Sequence, residues 1–151
     1  MKIYLDTSVI SALFDDRNPE RKVLTEEFFS EIRIYDTYIS ELTIAEIERT
    51  PDQTLRGKMK QAIEGFSILE INESVEELAK EYVKYGAVPE SYPEDAYHIA
   101  VAVLNEMDYL LSWNFRHIVR RRTKDVVRMV NTLRKLKPGL WINLHFARAK
   151  G

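Results

Sequence analysis

Four side chains in this 151-residue sequence pair acid or amide chemistry with positions where a fold can gather distant segments: Asp6, Glu46, Asp95 and Asn114. Asp6 closes a short apolar run, Lys2 to Leu5, and precedes Thr7-Ser8, hydroxyls that can cap a helix and orient the carboxylate. Asn114 follows a second run, Tyr109 to Ser112, within SWNFRH. Its amide oxygen can ligate a hard cation or hold water bound to one, and equally it can cap the next helix. Glu46 sits among Leu42, Ile44, Ala45 and Ile47, and Asp95 opens an alanine-rich apolar segment. Each acid has a plain structural explanation on its own. Asp6 can be an N-cap, Glu46 a solvated helix position, and Asp95 an acid favoured near a helix N-terminus. Joint geometry raises them above that, because two strand ends and two helices can converge at one cleft. Carboxylates gathered there repel one another and resist ionising unless a divalent cation joins them. An oxygen-only donor set selects Mg²⁺ or Mn²⁺. Zinc is disfavoured, since there is no Cys, the three His are scattered at His98, His117 and His145, and HExxH spacing is absent. Glu94 is a weaker addition, because adjacent helical side chains point in different directions.

A basic cluster follows the second strand end: Arg116, Arg120, Arg121, Arg122 and Lys124. It reads as a rim that contacts phosphates or as a solvated helix face. Trp113 and Phe115 can stack on single-stranded bases, with at least one of the pair expected in the core. His117 can contact phosphate or donate a proton, and a hydrogen-bonded structural His fits the position too.

The elements that must position these groups are legible from periodicity. After the first strand, Val9, Ile10, Leu13 and Phe14 have helical spacing, and Asn18-Pro19 supplies a cap with proline at the first helical position. A stripe of Val23, Leu24, Phe28 and Ile32 leads to a second strand near Ile34 to Ile39, then a short helix from Glu41 to Arg49 capped by Ser40. Pro51-Asp52 opens a helix through Leu55, Met59, Ala62 and Ile63, followed by a strand at Phe66 to Ile71. Ser74 and Glu77 fit a capping box for a helix that stops at Gly86. The segment from Pro93 is apolar almost all round and predicts a central buried helix. Helical periodicity returns at Val119, Val126, Val127, Val130 and Leu133, and a last apolar run spans Leu140 to Leu144 after Pro138-Gly139. Helices alternating with short apolar strands predict an α/β fold, a sandwich with a mostly parallel sheet, whose function sits beyond the carboxyl ends of the strands.

At this point LDTSVI, SELTIAEI, EDAYHIAVA and LLSWNFRHI together resemble the successive motifs of PIN-domain proteins, especially the VapC-like toxins of prokaryotic toxin–antitoxin pairs. Order and spacing match along nearly the whole chain. The resemblance implies a three-layer α/β/α sandwich and a metal-dependent endoribonuclease site with Mg²⁺ or Mn²⁺. It matches the family's first three acids to Asp6, Glu46 and Asp95. The fourth position, commonly Asp, is Asn114 here, a departure bearing on a second metal site. RNA as substrate, a cognate antitoxin as partner and a homodimer are implied in the same way, the alternative being a PIN-like module that binds or regulates without catalysis. A haloacid-dehalogenase-type phosphatase would carry a second Asp where Ser8 stands, and a receiver domain would need an acidic pair at the first strand's end.

Length and composition bound these readings. A chain of 151 residues suits one domain, expected over 1–146 with a frayed tail at 147–151, and buries roughly two-thirds of its unfolded surface without staples. With 45% hydrophobic and 30% charged residues it is a globular composition. Zero Cys excludes disulfides, thiolate metal sites and cysteine nucleophiles. The net charge of -2 excludes little, because acids crowd Glu41 to Glu48 and Glu73 to Glu81 while Arg116 to Lys137 is basic. No stretch reads as a signal h-region or a membrane span, so the expectation is a cytoplasmic protein without membrane contact.

Overall fold

A computed structural model of the chain describes residues 1–136 and 141–143. The chain order is β1 (Lys2–Leu5), α1 (Thr7–Ala12), α2 (Pro19–Ser30), β2 (Asp36–Ser40), α3 (Glu41–Glu48), α4 (Gln53–Ala62), β3 (Ser67–Leu69), α5 (Glu73–Lys84), α6 (Pro93–Leu104), β4 (Tyr109–Leu111), α7 (Arg121–Leu133) and β5 (Trp141–Asn143). The described strands form one parallel sheet ordered β3-β2-β1-β4-β5, in register at Ile3↔Thr37 and Leu5↔Leu111. The chain moves outward from β1 to β2 and β3, then returns to the other side of β1 as β4. That reversal opens a crevice between the carboxyl ends of β1 and β4, the switch point where parallel α/β sheets bind ligands.

The two-residue period of the strands divides the core. Tyr4 and Leu110 face a cluster completed by Val75, Leu78 and Tyr82 of α5, Ile99 of α6, and Val127 and Val130 of α7. Ile3, Leu5, Ile39 and Leu111 face the opposite cluster, closed by Val9 and Ile10 of α1, Phe28 of α2, Ile47 of α3 and Met59 of α4. Helices therefore cover both faces, and the expected three-layer α/β/α sandwich is the observed architecture. Among the described residues, no helix is long and apolar enough to cross a membrane.

Local differences from the sequence reading have identifiable causes. Asn72, not Ser74, caps α5, its side chain accepting from the Val75 N–H at 3.0 Å and starting the helix earlier. Ile32–Ile34 forms a 3-10 turn with Ile34 exposed, and β2 begins only at Asp36. Val119 is buried in a turn, not in α7: the Asn114 carbonyl accepts from the N–H groups of both Ile118 and Val119, at 3.3 and 2.8 Å, which turns the chain before the helix starts. The Asn18-Pro19 start of α2 is as expected, with Asn18 accepting from the Arg21 N–H. The Pro138-Gly139 break, His145 and the tail at 147–151 lie outside the described residues.

Gly86 ends α5 at φ +79°, while the Ala87 N–H donates to the Tyr82 carbonyl and the Gly86 N–H to that of Val83. This is a Schellman stop, which needs a left-handed residue. A side chain here pays the left-handed penalty of roughly 1–2 kcal/mol. Gly86→Ala is therefore expected to lower unfolding stability by about that amount in urea denaturation, with an unchanged m-value.

Candidate active site at the ends of the two central strands

Asp6 takes the N-cap position of α1, yet its side chain makes no cap bond. The carboxylate instead accepts from Ser8 Oγ at one oxygen and Ser112 Oγ at the other, both at 2.5 Å. Ser8 Oγ also accepts from the Trp113 N–H, and Ser112 Oγ from the Asn114 N–H, so two hydroxyls lash the end of β1 to the segment after β4. Asp6 is buried. Desolvation pushes its pKa above the ordinary carboxylate value, against the opposing effects of His98 and the two serines.

Glu46 reaches the same region from α3. Its Oε1 accepts from Thr7 Oγ1 at 3.0 Å and lies 2.7 Å from His98 Nε2. Burial works against its charge, but the His98 and Thr7 hydrogen bonds outweigh it and its pKa is lowered. Asp95 stands in the first turn of α6, where one oxygen accepts from Asn114 Nδ2 at 3.3 Å and the other lies 2.9 Å from His117 Nδ1. Desolvation dominates there and raises its pKa, with the two histidines opposing and the Glu46 charge adding to the rise. Of the two parts open to it in the sequence, Asn114 takes the cap: Oδ1 accepts from the His117 N–H at 2.8 Å, while the NH₂ group donates to Asp95.

The fold therefore brings Asp6, Glu46, Asp95 and Asn114 to the switch point, and it adds His98, which stands one helical turn after Asp95. Burial disfavours a charge on His98, but the Glu46 contact and the fields of Glu46, Asp6 and Asp95 raise its pKa. A polar residue on an otherwise apolar helix was the available signal. Tyr4 and Ser112 carried none, since each looks like an ordinary strand residue. Among the described residues, no Lys or Arg forms an ion pair with any of the three acids; the imidazoles of His98 and His117 are their ionisable partners. Nor do three His or acid side chains there stand close enough to form a ready-made metal cage. The donor set is nonetheless all oxygen, rich in negative charge and short of cations, which suits a hard divalent ion.

The remaining candidates separate. Trp113 is core, its indole N–H donating to Thr25 Oγ1, whereas Phe115 is 40% exposed with the Arg21 guanidinium over its ring. Glu94 is exposed on the first turn of α6. Arg120 donates to the Ala87 carbonyl and Arg122 to that of Gly86, so both tie the start of α7 to the end of α5. Arg116 and Arg121 are exposed, Arg121 beside Asp125, and Lys124 is half-buried. His117 packs against the exposed Tyr92 ring at 4.5 Å between centroids.

A three-layer α/β/α sandwich with a parallel sheet and an acidic switch point is the class that fold and site define. The family model for the PIN domain matches residues 3–117, and the chain belongs to the PIN-domain family. No curated protein matches the sequence. Solved structures do match. VapBC2 from Rickettsia felis, bound to a DNA fragment from its promoter, aligns with TM-score 0.59 and 11% identity over 95% of this chain and 98% of that one. A toxin–antitoxin complex from Klebsiella pneumoniae aligns with TM-score 0.57 and 17% identity, covering 79% and 92%. The Mycobacterium tuberculosis toxin VapC20, which cleaves the sarcin-ricin loop, aligns with TM-score 0.59 and 15% identity, covering 76% and 92%. At these identities the likeness is one of fold.

The raised pKa of Asp6 has a thermodynamic sign. A carboxyl whose pKa is higher folded than unfolded adds stability below its unfolded pKa and loses it as pH rises through the folded value. Metal-free protein is therefore penalised at neutral pH. Asp6→Asn is expected to melt higher than wild type at pH 7 in EDTA, by roughly 2–4 °C for each kcal/mol relieved. The gap should close as pH falls through the folded-state pKa, and calorimetry across pH checks both.

Proposed function

We propose that this chain is a divalent-metal-dependent endoribonuclease that hydrolyses RNA phosphodiester bonds in the cytoplasm as the toxin of a toxin–antitoxin pair. The observation that carries the reading is the convergence of Asp6, Glu46 and Asp95 at the switch point with no Lys or Arg ion-paired to them among the described residues. Membership of the PIN-domain family supports it, as do structural neighbours described as toxins or toxin–antitoxin complexes. A cognate antitoxin and a second copy of the chain are the protein partners that follow.

Asp6 and Asp95, with Glu46, would hold Mg²⁺ or Mn²⁺, which supplies Lewis acidity at the scissile phosphate and activation of water. The chain's own residues then have distinct tasks. Ser8 and Ser112 favour the ionised form of the buried Asp6 by donating hydrogen bonds. Asn114 and His117 orient Asp95 from one side, and Thr7 and His98 orient Glu46 from the other. Arg116, Arg121 and Lys124, with Arg120 and Arg122 nearer the α5 tether, supply positive charge for the RNA backbone, and His117 contacts phosphate beside them.

Metal-titrated cleavage of a single-stranded RNA by wild type, Asp95→Asn, Asn114→Asp and Asn114→Ala is the test. Wild type should cut at millimolar Mg²⁺ or lower Mn²⁺, on the order of hard-ion affinities at carboxylate sites. Asp95→Asn should lose cleavage while remaining folded. Asn114→Asp should need less metal, because a carboxylate replaces the NH₂ facing Asp95 while the oxygen that caps His117 is kept. Asn114→Ala should need more, since both bonds go. Activity appearing only in Asn114→Asp would point instead to a non-catalytic binding module.

A further inference from the structure

Tyr4 lies fully buried in the middle of the central strand, on the face opposite Ile3 and Leu5. Apolar packing would be satisfied by Phe at this position. The hydroxyl nevertheless makes two contacts, 2.8 Å to Ser40 Oγ at the end of β2 and 2.6 Å to His98 Nδ1. His98 is 3% exposed, and its other nitrogen is the one 2.7 Å from Glu46 Oε1. An ionised carboxylate only accepts, so Nε2 carries the hydrogen and donates to Glu46. With a neutral ring Nδ1 accepts from the Tyr4 O–H, whose oxygen accepts from Ser40; with a protonated ring Nδ1 donates to the Tyr4 oxygen and the Tyr4 O–H donates to Ser40 Oγ. Nε2 donates to Glu46 in both, and each leaves the row satisfied.

The row runs out of the buried sheet and ends on a single atom. Thr7 Oγ1 donates to the same Oε1, and Oε2 of Glu46 has no hydrogen-bond partner among the described residues. Two donors on one oxygen fix the plane of a carboxylate whose side chain stands on a short helix and is only partly covered. The second oxygen is left to act. We propose that Tyr4 and His98 are positioning residues, which hold Glu46 in one orientation so that its free oxygen serves the acid cluster. This rests on the nuclease reading above and extends it to two residues that touch neither substrate nor ion.

Mn²⁺ binding to the purified full chain, followed by electron paramagnetic resonance of the free ion, tests this alongside circular dichroism and RNA cleavage. The set comprises wild type, Asp6→Asn, Tyr4→Phe, His98→Gln and His98→Leu. Loss of an outer partner typically weakens metal affinity about 10–100-fold, and that range is expected for His98→Leu. His98→Gln, which keeps a donor for Glu46, should recover most of the loss, and Tyr4→Phe should weaken binding roughly three- to tenfold with a wild-type spectrum. In cleavage, both Tyr4→Phe and His98→Leu should raise the Mn²⁺ requirement and leave the KM for RNA at saturating Mn²⁺ unchanged. A purely structural row would lower stability without moving Mn²⁺ affinity. If His98→Leu does not fold, Tyr4→Phe and His98→Gln decide. Wild-type affinity in Tyr4→Phe and His98→Leu, with binding lost in Asp6→Asn, overturns the positioning role and spares the nuclease reading. Wild-type affinity in Tyr4→Phe alone removes Tyr4 from it. A wild type that binds no Mn²⁺ overturns both.

Discussion

A carboxylate buried where two parallel strands end side by side constrains everything around it. Asp6 has no Lys or Arg partner among the described residues, so hydrogen bonds must hold it, and both come from hydroxyls that also bind backbone after β4. The strands are in register up to Leu5↔Leu111, which puts Asp6 level with Ser112. A slip of one residue would turn the side chains of β1 to the opposite faces, moving Tyr4 away from His98 and Leu5 out of its core. Burial of Leu5 and Leu110 thus helps set the position of the acid, because the apolar alternation and the carboxylate share one register.

The helices complete the arrangement by ordinary packing. Alanines at 96, 100 and 102 in α6 are all buried and let the helix approach its neighbours closely. That seats its N-terminal turn, where a negative side chain is favoured, beside the crevice. Asp95 and His98 then lie on one side of α6, one turn apart, and the same helix contributes an acid and the imidazole that orients another acid. Short α3 does the corresponding work after β2, with Ile47 anchored in the core and Glu46 partly exposed.

The layer order was legible because strand and helix periods differ, and Gly86 marked a helix end that only a left-handed residue closes in this way. Asp6 was legible for a related reason, since a polar residue closing an apolar strand must stand at the carboxyl end of the sheet. Glu46 and Asp95 lie on α3 and α6 and stood out only through the joint geometry of strand ends and helices. Hydrogen-bond partners distant in sequence were not legible. Tyr4 and His98 are 94 residues apart, and Ser112 and Asp6 are 106 apart, so no local period joins them. Asn72 in place of Ser74 as the α5 cap is a smaller difference, since both residue types can cap and Asn72 accepts from the Val75 N–H.

The basic segment after β4 shows how one set of charges can serve two ends. Arg120 and Arg122 donate to the carbonyls of Ala87 and Gly86, beyond the C-terminus of α5, where helix carbonyls favour cations. Thr123 Oγ1 lies 2.8 Å from the Ala87 carbonyl and 2.6 Å from that of His117, and Arg120 Nε donates to it. The tether thus reaches the turn that carries Asn114 and His117, and through them Asp95. The two sides of the acidic crevice are therefore held differently. Glu46 depends on a row of hydrogen bonds anchored in the sheet, whereas Asp95 depends on a turn pinned to the stop of a distant helix. A disturbance at Gly86 or Ala87 therefore has a physical route to Asp95 through hydrogen bonds that bypass the sheet.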